Sequence, residues 1–222
     1  MAIILNIDTA VDNASICLSD NDKIAGMVIN ESRKDHASWL HNAIRDLVLK
    51  SGLQMNDLSA VAVSIGPGSY TGLRLGLTAA KGLCYALHIP LITVNTLKMM
   101  AYSVRKEVTD LVCPVIDARR MEVFTAVYNT SFEEIMKPSA VVVDKQSFSD
   151  IVSSHRVIFC GNGTKKLQSI LSHTNAIFSS HVATAADMVY FASNYHSEKN
   201  FADLAYCEPF YIKEFYSPHI NF

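Results

Sequence analysis

The chain contains no apolar run close to the ~20 residues that cross a bilayer. Its amino terminus has no basic region and reaches a carboxylate at Asp8, which argues against a signal peptide. The five cysteines are far apart, odd in number and without a C-x-x-C pair, a pattern that favours buried reduced thiols over a disulfide framework. We therefore expect a cytoplasmic protein with reduced, buried thiols and no membrane contact.

A concentrated basic face is also missing. The formal net charge is −2, and the basic residues occur as scattered doublets without interleaved aromatic residues. The doublets are Arg33-Lys34, Arg105-Lys106, Arg119-Arg120 and Lys165-Lys166. Because proteins that grip RNA alone concentrate positive charge on one face, we expect any RNA to be held mainly by another protein.

The pattern of apolar residues predicts an α/β protein whose second half repeats the first. Each half reads as three closely spaced strands, followed by helices alternating with strands. Asp8 and Asp117 each end the first strand of a half, which suggests a duplicated fold. The predicted strands are 2–8, 15–19, 24–30, 59–65, 91–94, 111–117, 122–128, 135–143, 157–160 and one near Ile177; the main helices are 36–51, 71–88, one ending near 106, one ending near 171, and one opened by a capping box at Thr184 and Asp187.

The most informative segment runs from Ser64 to Gly76, with the sequence Ser-Ile-Gly-Pro-Gly-Ser-Tyr-Thr-Gly-Leu-Arg-Leu-Gly. A buried strand ends here in a glycine turn that leads into a helix amino terminus. Backbone N–H groups at such a turn favour an anion, so the segment could cradle phosphate. The alternative is a tight strand-to-helix turn in which Gly72, Gly76 and Ala80 allow a neighbouring helix to pack closely.

This segment resembles the signature of the TsaB family, the smaller of two related proteins in the bacterial threonylcarbamoyladenosine pathway. Further similar stretches are Leu5 to Thr9, Val115 to Arg119 and Pro209 to Lys213. The resemblance covers nearly the whole chain and is most specific in its first hundred residues. It implies a two-lobed actin-like ATPase fold, the duplicated ribonuclease H-like architecture, with lobes at about 1–108 and 109–222.

In ATPases of that fold, the two aspartates organise metal and phosphates beside glycine-rich hairpins. Here Asp8 leads into Thr9-Ala10 and Asp117 into Ala118-Arg119, with no glycine at either turn. Holding a triphosphate requires backbone amides on both sides of the cleft. We therefore expect no nucleotide turnover and no required cofactor, although weak ATP or ADP binding stays open. The candidate nucleotide or anion-binding residues are Asp8, Thr9, Gly66, Gly68, Ser69 and Asp117.

Catalytic motifs of related or similarly named enzymes are also missing. The larger relative, TsaD, holds a metal with helical histidines, but His36 and His41 would point about 140° apart on a helix, so we expect no metal site. The family has also been called a glycoprotease family. The sequence contains neither H-E-x-x-H nor G-x-S-x-G, so we expect no peptidase activity and no catalytic residues.

Because we expect no catalysis in the cleft, we expect the protein to act by binding a partner through its surface. The resemblance implies docking onto TsaD as a heterodimer through the amino-terminal helices, TsaE in a larger complex, a homodimer in isolation, and tRNA reached indirectly. The candidate interface residues are Trp39, Leu40, Ala43, Ile44, Leu47, Gly72, Gly76 and Ala80. The protein would then be a non-catalytic scaffold that activates TsaD. The alternatives are that the apolar residues of the first helix are ordinary scattered surface residues, and that the chain is a small-molecule kinase or ATPase of the same fold.

Overall fold

The structure, a computed structural model, describes residues 2–30, 32 and 35–213. It contains two five-stranded mixed sheets with helices packed around them. None of the helices in the described part of the chain combines the length and apolarity needed to cross a membrane.

The first sheet has the order β3-β2-β1-β4-β5. Its strands are β1 (Ile3–Asp8), β2 (Ser15–Asp20), β3 (Lys23–Ile29), β4 (Ala60–Gly66) and β5 (Leu91–Asn95). β1, β2 and β3 form an antiparallel meander, and β4 and β5 run parallel to β1. The meander was predicted from the short polar turns, which leave room only for hairpin connections.

The second sheet repeats this topology with the order β10-β9-β6-β7-β8. Its strands are β6 (Leu111–Asp117), β7 (Glu122–Tyr128), β8 (Glu134–Val142), β9 (Val157–Cys160) and β10 (Ala176–Phe178). β6 to β8 are antiparallel, and β9 and β10 run parallel to β6. The predicted duplication is therefore confirmed.

Six α-helices are present among the described residues. They are α1 (His36–Lys50), α2 (Tyr70–Leu87), α3 (Thr96–Ser103), α4 (Ser149–Ser154), α5 (Thr164–Gln168) and α6 (Val189–Ser197). Gly52, with φ of 72°, follows the end of α1, because glycine adopts the left-handed conformation without steric cost. The capping box at Thr184 and Asp187 is present, but it opens a 3-10 turn, Ala185–Met188, which precedes α6.

One hydrophobic cluster is shared by both sheets. It lies around α3 and includes buried residues from β1, β4 and β5 together with residues from β6, β7 and β9. A second cluster packs α1 and α2 on the other face of the first sheet, and a third lies on the outer face of the second sheet. The two sheets are therefore joined by a common core, which stabilises their relative position.

After β10 the chain returns to the first half. α6 packs against β5 and β1, and Ala202 pairs with Leu91 at the edge of the first sheet. The Phe210 amide then donates to the Ile65 carbonyl at 2.8 Å. The expected lobe of 109–222 thus includes a segment, 184–213, that contacts the first sheet.

Candidate functional site

A cavity of about 540 Å³ lies between the turns at the ends of the two sheets. Asp12 and Asn13, from the β1–β2 turn, line one side, and Asn162 and Lys165, from the β9–α5 region, line another. The Asn162 side-chain amide donates to the Asp12 carboxylate at 3.4 Å, so the two halves meet at this rim. The six candidate nucleotide or anion-binding residues are not among those that line this cavity.

Asp8 is fully buried at the end of β1. Its Oδ1 accepts hydrogen bonds from the Ser64 hydroxyl at 2.7 Å and from the Ala10 amide at 3.1 Å. Its Oδ2 is buried and has no hydrogen-bond partner in the described structure. Burial raises the pKa of Asp8 above its ordinary value, and the bonds from Ser64 and Ala10 only partly offset this. A carboxyl group in this state is a poor ligand for a metal or a metal-bound phosphate.

The β1–β2 turn fills the space where the glycines that follow β4 lack a side chain. A β-carbon on Gly72 would overlap the Thr9 carbonyl oxygen, and one on Gly76 would overlap the Thr9 hydroxyl. That hydroxyl donates to the Gly72 carbonyl at 2.7 Å. A β-carbon on Gly68 would overlap the Ala10 carbonyl oxygen in the same way. These glycines therefore allow close approach of the β1–β2 turn, and not of the neighbouring helix that the packing alternative expected.

The amides at the start of α2 are also engaged within the chain. The Ser69 amide donates to the Ala10 carbonyl at 2.7 Å, and the Ser69 hydroxyl accepts from the Gly72 amide at 3.3 Å. The Gly66 amide donates to the Thr96 hydroxyl at 3.1 Å. Each of these internal partners occupies a donor that a phosphate cradle would need.

Asp117, the equivalent of Asp8 in the second half, is solvent-exposed and paired. Its Oδ1 lies 2.7 Å from the Lys166 ammonium and accepts from the Arg119 amide at 2.7 Å. Partial burial opposes ionisation, but the bonds from Lys166 and Arg119 outweigh it and lower the pKa of Asp117. The structure does not bring Asp117 into contact with Asp8.

Most of the candidate interface residues are buried in the protein's own core. Leu40, Ala43, Ile44 and Leu47 face the first sheet, and Ala80 belongs to the same cluster. Gly72 and Gly76 pack against Thr9 of the β1–β2 turn. Together with Ala80 they are buried, so in the described structure these three residues offer no exposed surface to a partner.

Trp39 is the exception, since it is only half-buried. It lines a groove of about 350 Å³ together with Val28, Asn42, Ala43, Asp46, Leu47 and Lys50. The outward faces of α1 and α2 carry Leu49, which is 64% exposed, and Tyr85, which is 75% exposed.

The histidine and cysteine side chains show no catalytic arrangement in the part of the chain that the structure describes. His36 contacts the Asn30 side-chain amide at 3.0 Å, and His41 is exposed. No group of three potential metal ligands occurs among residues 2–30, 32 and 35–213. Burial raises the pKa of the Cys84 thiol to about 11 and of Cys17 and Cys113 to about 12, which disfavours a nucleophilic thiolate.

The sequence did not point to the side chains that bind Asp8 and Asp117, which are those of Ser64 and Lys166. Ser64 precedes the glycine turn and Lys166 belongs to a basic doublet, but neither position signals contact with a residue about fifty positions away. Asn162, whose side chain accepts from the Asp117 amide at 2.9 Å, lies between β9 and α5.

Comparison with known sequences gives a consistent family. A family model described as "TsaD: tRNA N6-adenosine threonylcarbamoyltransferase" matches residues 13–209. The tRNA threonylcarbamoyladenosine biosynthesis protein TsaB of Bacillus subtilis (strain 168) is 34% identical over 143 residues, which are 63% of this chain and 62% of that protein. The protein of the same name from Escherichia coli (strain K12) is 33% identical over 156 residues, 66% of this chain and 67% of that protein. The match thus spans a little under two thirds of the Bacillus relative.

Solved structures agree on the fold. An uncharacterized Pseudomonas aeruginosa protein described as similar to the peptidase YEAZ superposes with a TM-score of 0.84 at 22% identity, covering 96% of this chain and all of that one. The ADPNP-bound activator of 2-hydroxyisocaproyl-CoA dehydratase from Clostridium difficile has a TM-score of 0.52 at 10% identity, covering 90% of this chain and 98% of that one. The predicted two-lobed actin-like fold is therefore confirmed. The chain belongs to the TsaB family, within the wider family that the TsaD model describes.

Proposed function

We propose that this protein is a non-catalytic subunit in the formation of threonylcarbamoyladenosine on the adenosine next to the tRNA anticodon, and that it acts by binding and activating a TsaD transferase. The names of its relatives in Bacillus subtilis and Escherichia coli support the pathway. The arrangement of the cleft supports the non-catalytic role.

One observation carries this proposal: the groups that phosphate chemistry would use in this fold already bind partners in the chain. Asp8 accepts from Ser64, and Asp117 pairs with Lys166. The glycine turn is packed against the β1–β2 turn. Binding a metal-bound triphosphate would require these contacts to be broken and a buried carboxyl group to ionise, both at a cost in free energy.

The partner surface in this proposal is the outward side of α1 and α2. Leu49 and Tyr85 project there as large exposed apolar side chains, and Trp39 lines the adjacent groove. A transferase whose active conformation binds this surface more tightly than its inactive one is shifted toward the active conformation by the difference in affinity. In isolation, two copies pair through the same surface.

The test mixes the purified protein with its TsaD relative and measures the mass of the complex in solution and the yield of modified tRNA. We expect modification only in the mixture. The double substitution Leu49→Glu with Tyr85→Glu should abolish both the complex and the modification, because burying two carboxylates at an apolar interface is unfavourable.

The control substitution is Tyr206→Glu, since Tyr206 is 85% exposed and lies outside both helices. It should leave the complex and the yield unchanged. Normal complex formation by the Leu49/Tyr85 variant would refute the surface. Steady ATP turnover by the protein alone, lost on Asp8→Ala, would instead favour the kinase or ATPase alternative.

A further inference from the structure

Two of the basic doublets that are distant in sequence lie together in the structure. Arg119 and Arg120 form the β6–β7 turn, and Lys165 and Lys166 lie on α5, which follows β9. β6 and β9 are parallel neighbours, so the turn and the helix meet at the same edge of the second sheet. The contact of Lys166 with Asp117, at 2.7 Å, ties them together.

Two acidic groups at this edge, Asp117 and Glu122, are already paired with lysines, and a third, Asp12, accepts from the Asn162 side-chain amide. Lys166 pairs with Asp117 and also donates to the Glu122 carbonyl at 2.9 Å. Lys213 pairs with the Glu122 carboxylate. By contrast, a set of three cations is exposed and forms no ion pair with any described residue; it consists of Arg119, Arg120 and Lys165. The edge therefore carries an excess of positive charge, and we name these three residues the basic rim.

The backbone at the turn does not explain the arginines. Arg119 has φ of 67° and Arg120 has φ of 47°, both in the left-handed region. Hairpin turns with such angles favour asparagine and glycine, whereas a long side chain with a β-carbon is disfavoured. Two successive arginines are thus kept at a conformational cost, which points to a use for their charged side chains.

We propose that the basic rim contacts the phosphodiester backbone of tRNA when the modification complex holds it. The inference rests on the proposed function, which brings tRNA to this protein. A guanidinium group can donate two parallel hydrogen bonds to the oxygens of one phosphate. Each such contact releases counterions that were condensed on the RNA. Because the whole chain carries a net charge of −2, the rim supplements an RNA grip provided by the partner.

The test substitutes Arg119→Asn, Arg120→Gly and Lys165→Gln together in the full-length chain. Binding of labelled tRNA to the complex with the transferase is measured by fluorescence anisotropy between about 50 and 200 mM KCl. Three lost contacts should reduce the slope of log affinity against log salt by roughly 2 to 3, and weaken binding about tenfold or more at the lower salt. The melting temperature should not fall, because asparagine and glycine suit the turn.

The matched control removes three exposed cations elsewhere in the same half, through Lys137→Gln, Lys145→Gln and Arg156→Gln. It should leave the salt slope near the unsubstituted value. Equal slopes for the unsubstituted complex and the rim variant would overturn the proposal, as would an equal loss in the control or an absence of tRNA binding by the unsubstituted complex.

Complex formation with the transferase is measured separately in the same samples. If the rim variant fails to bind the transferase, the rim is a protein interface and the RNA assignment is overturned, while the proposed accessory function stands. If the variant assembles normally and loses only tRNA affinity, the rim contacts RNA.

Discussion

Asp8 and Asp117 occupy equivalent positions, each at the end of the first strand of its sheet, but their surroundings differ. Asp8 is fully buried with one carboxyl oxygen unpartnered, and burial raises its pKa. Partial burial opposes ionisation of Asp117 too, but the Lys166 ammonium, the Arg119 amide and the Arg119 charge hold its pKa below the ordinary value. The duplication therefore preserves the residue type at this position and not its ionisation behaviour.

This difference predicts opposite pH dependences for Asp8→Asn and Asp117→Asn. A carboxyl group whose pKa is raised in the native protein stabilises the fold at pH values below its pKa in the unfolded chain, which is near 4. This stabilisation is lost as the pH rises through the native pKa. Asp8→Asn should therefore gain stability relative to the unsubstituted protein as the pH rises from about 4. Asp117 has a lowered native pKa, so its contribution is present above about 4 and is lost as the pH falls.

The measurement is urea unfolding of both variants and the unsubstituted protein between about pH 2 and 8, because the contribution of Asp117 is lost mainly below pH 4. The stability difference for Asp117→Asn should be largest at neutral pH and shrink toward acid pH. A stability difference for Asp8→Asn that stays constant with pH would contradict the assignment of a buried, proton-binding carboxyl group.

At the scale of single elements, α2 shows how one helix uses glycine in two ways. Gly72 lies against the Thr9 carbonyl, where any side chain would overlap backbone. Gly82 is exposed, and a β-carbon there would meet nothing within 4 Å. The same residue type is thus required at one position and merely tolerated at the other.

We predict that Gly72→Ala destabilises the protein by about 1–3 kcal/mol, because overpacking against backbone forces the β1–β2 turn to shift. Gly82→Ala should stabilise it by about 0.5–1 kcal/mol, because alanine loses less conformational entropy in a helix. Both changes in the free energy of unfolding are measured from the denaturant midpoints, with one m-value applied to all variants. A stable Gly72→Ala variant would show that the turn is not tightly packed on α2.

Element boundaries show where local patterns lose their predictive value. The strands and the long helices α1 and α2 were predicted within a few residues, because their apolar periodicity is sustained. The helices predicted to end near 106 and 171 end at Ser103 and Gln168. In both places the chain continues as turns whose bonds span three residues, such as Glu107 to Val104 and Ile170 to Leu167. Composition alone does not distinguish such turns from a further helical turn.

For the whole molecule, the cluster around α3 joins the two sheets, so we expect them to unfold as one cooperative unit. Met100 is 3% exposed at its centre, and its carbonyl accepts from the Cys160 thiol of the second sheet at 3.5 Å. Trp39, the single tryptophan, lies on the first sheet's outer layer and reports on that half alone.

We predict that Trp39 fluorescence and far-ultraviolet circular dichroism give coincident unfolding curves. Met100→Ala should lower the free energy of unfolding by about 2–5 kcal/mol and shift both curves equally, since it leaves a cavity in the shared core. Met121→Ala, at a position 47% exposed, should change it by about 0.5 kcal/mol or less. Separate transitions for the two probes would show that the halves unfold independently.

The sequence by itself determined the elements, the duplication and the family, because these depend on short-range periodicity and on motifs that lie within a few residues of one another. Only the tertiary structure decided that Thr9 packs against Gly72 and Gly76 of α2, that Lys166 neutralises Asp117, and that two distant basic doublets lie at one edge. It also decided that the chain returns to the first sheet after β10. These outcomes depend on contacts between residues far apart in the chain, which are set by how whole elements pack and leave no periodic signal at either position.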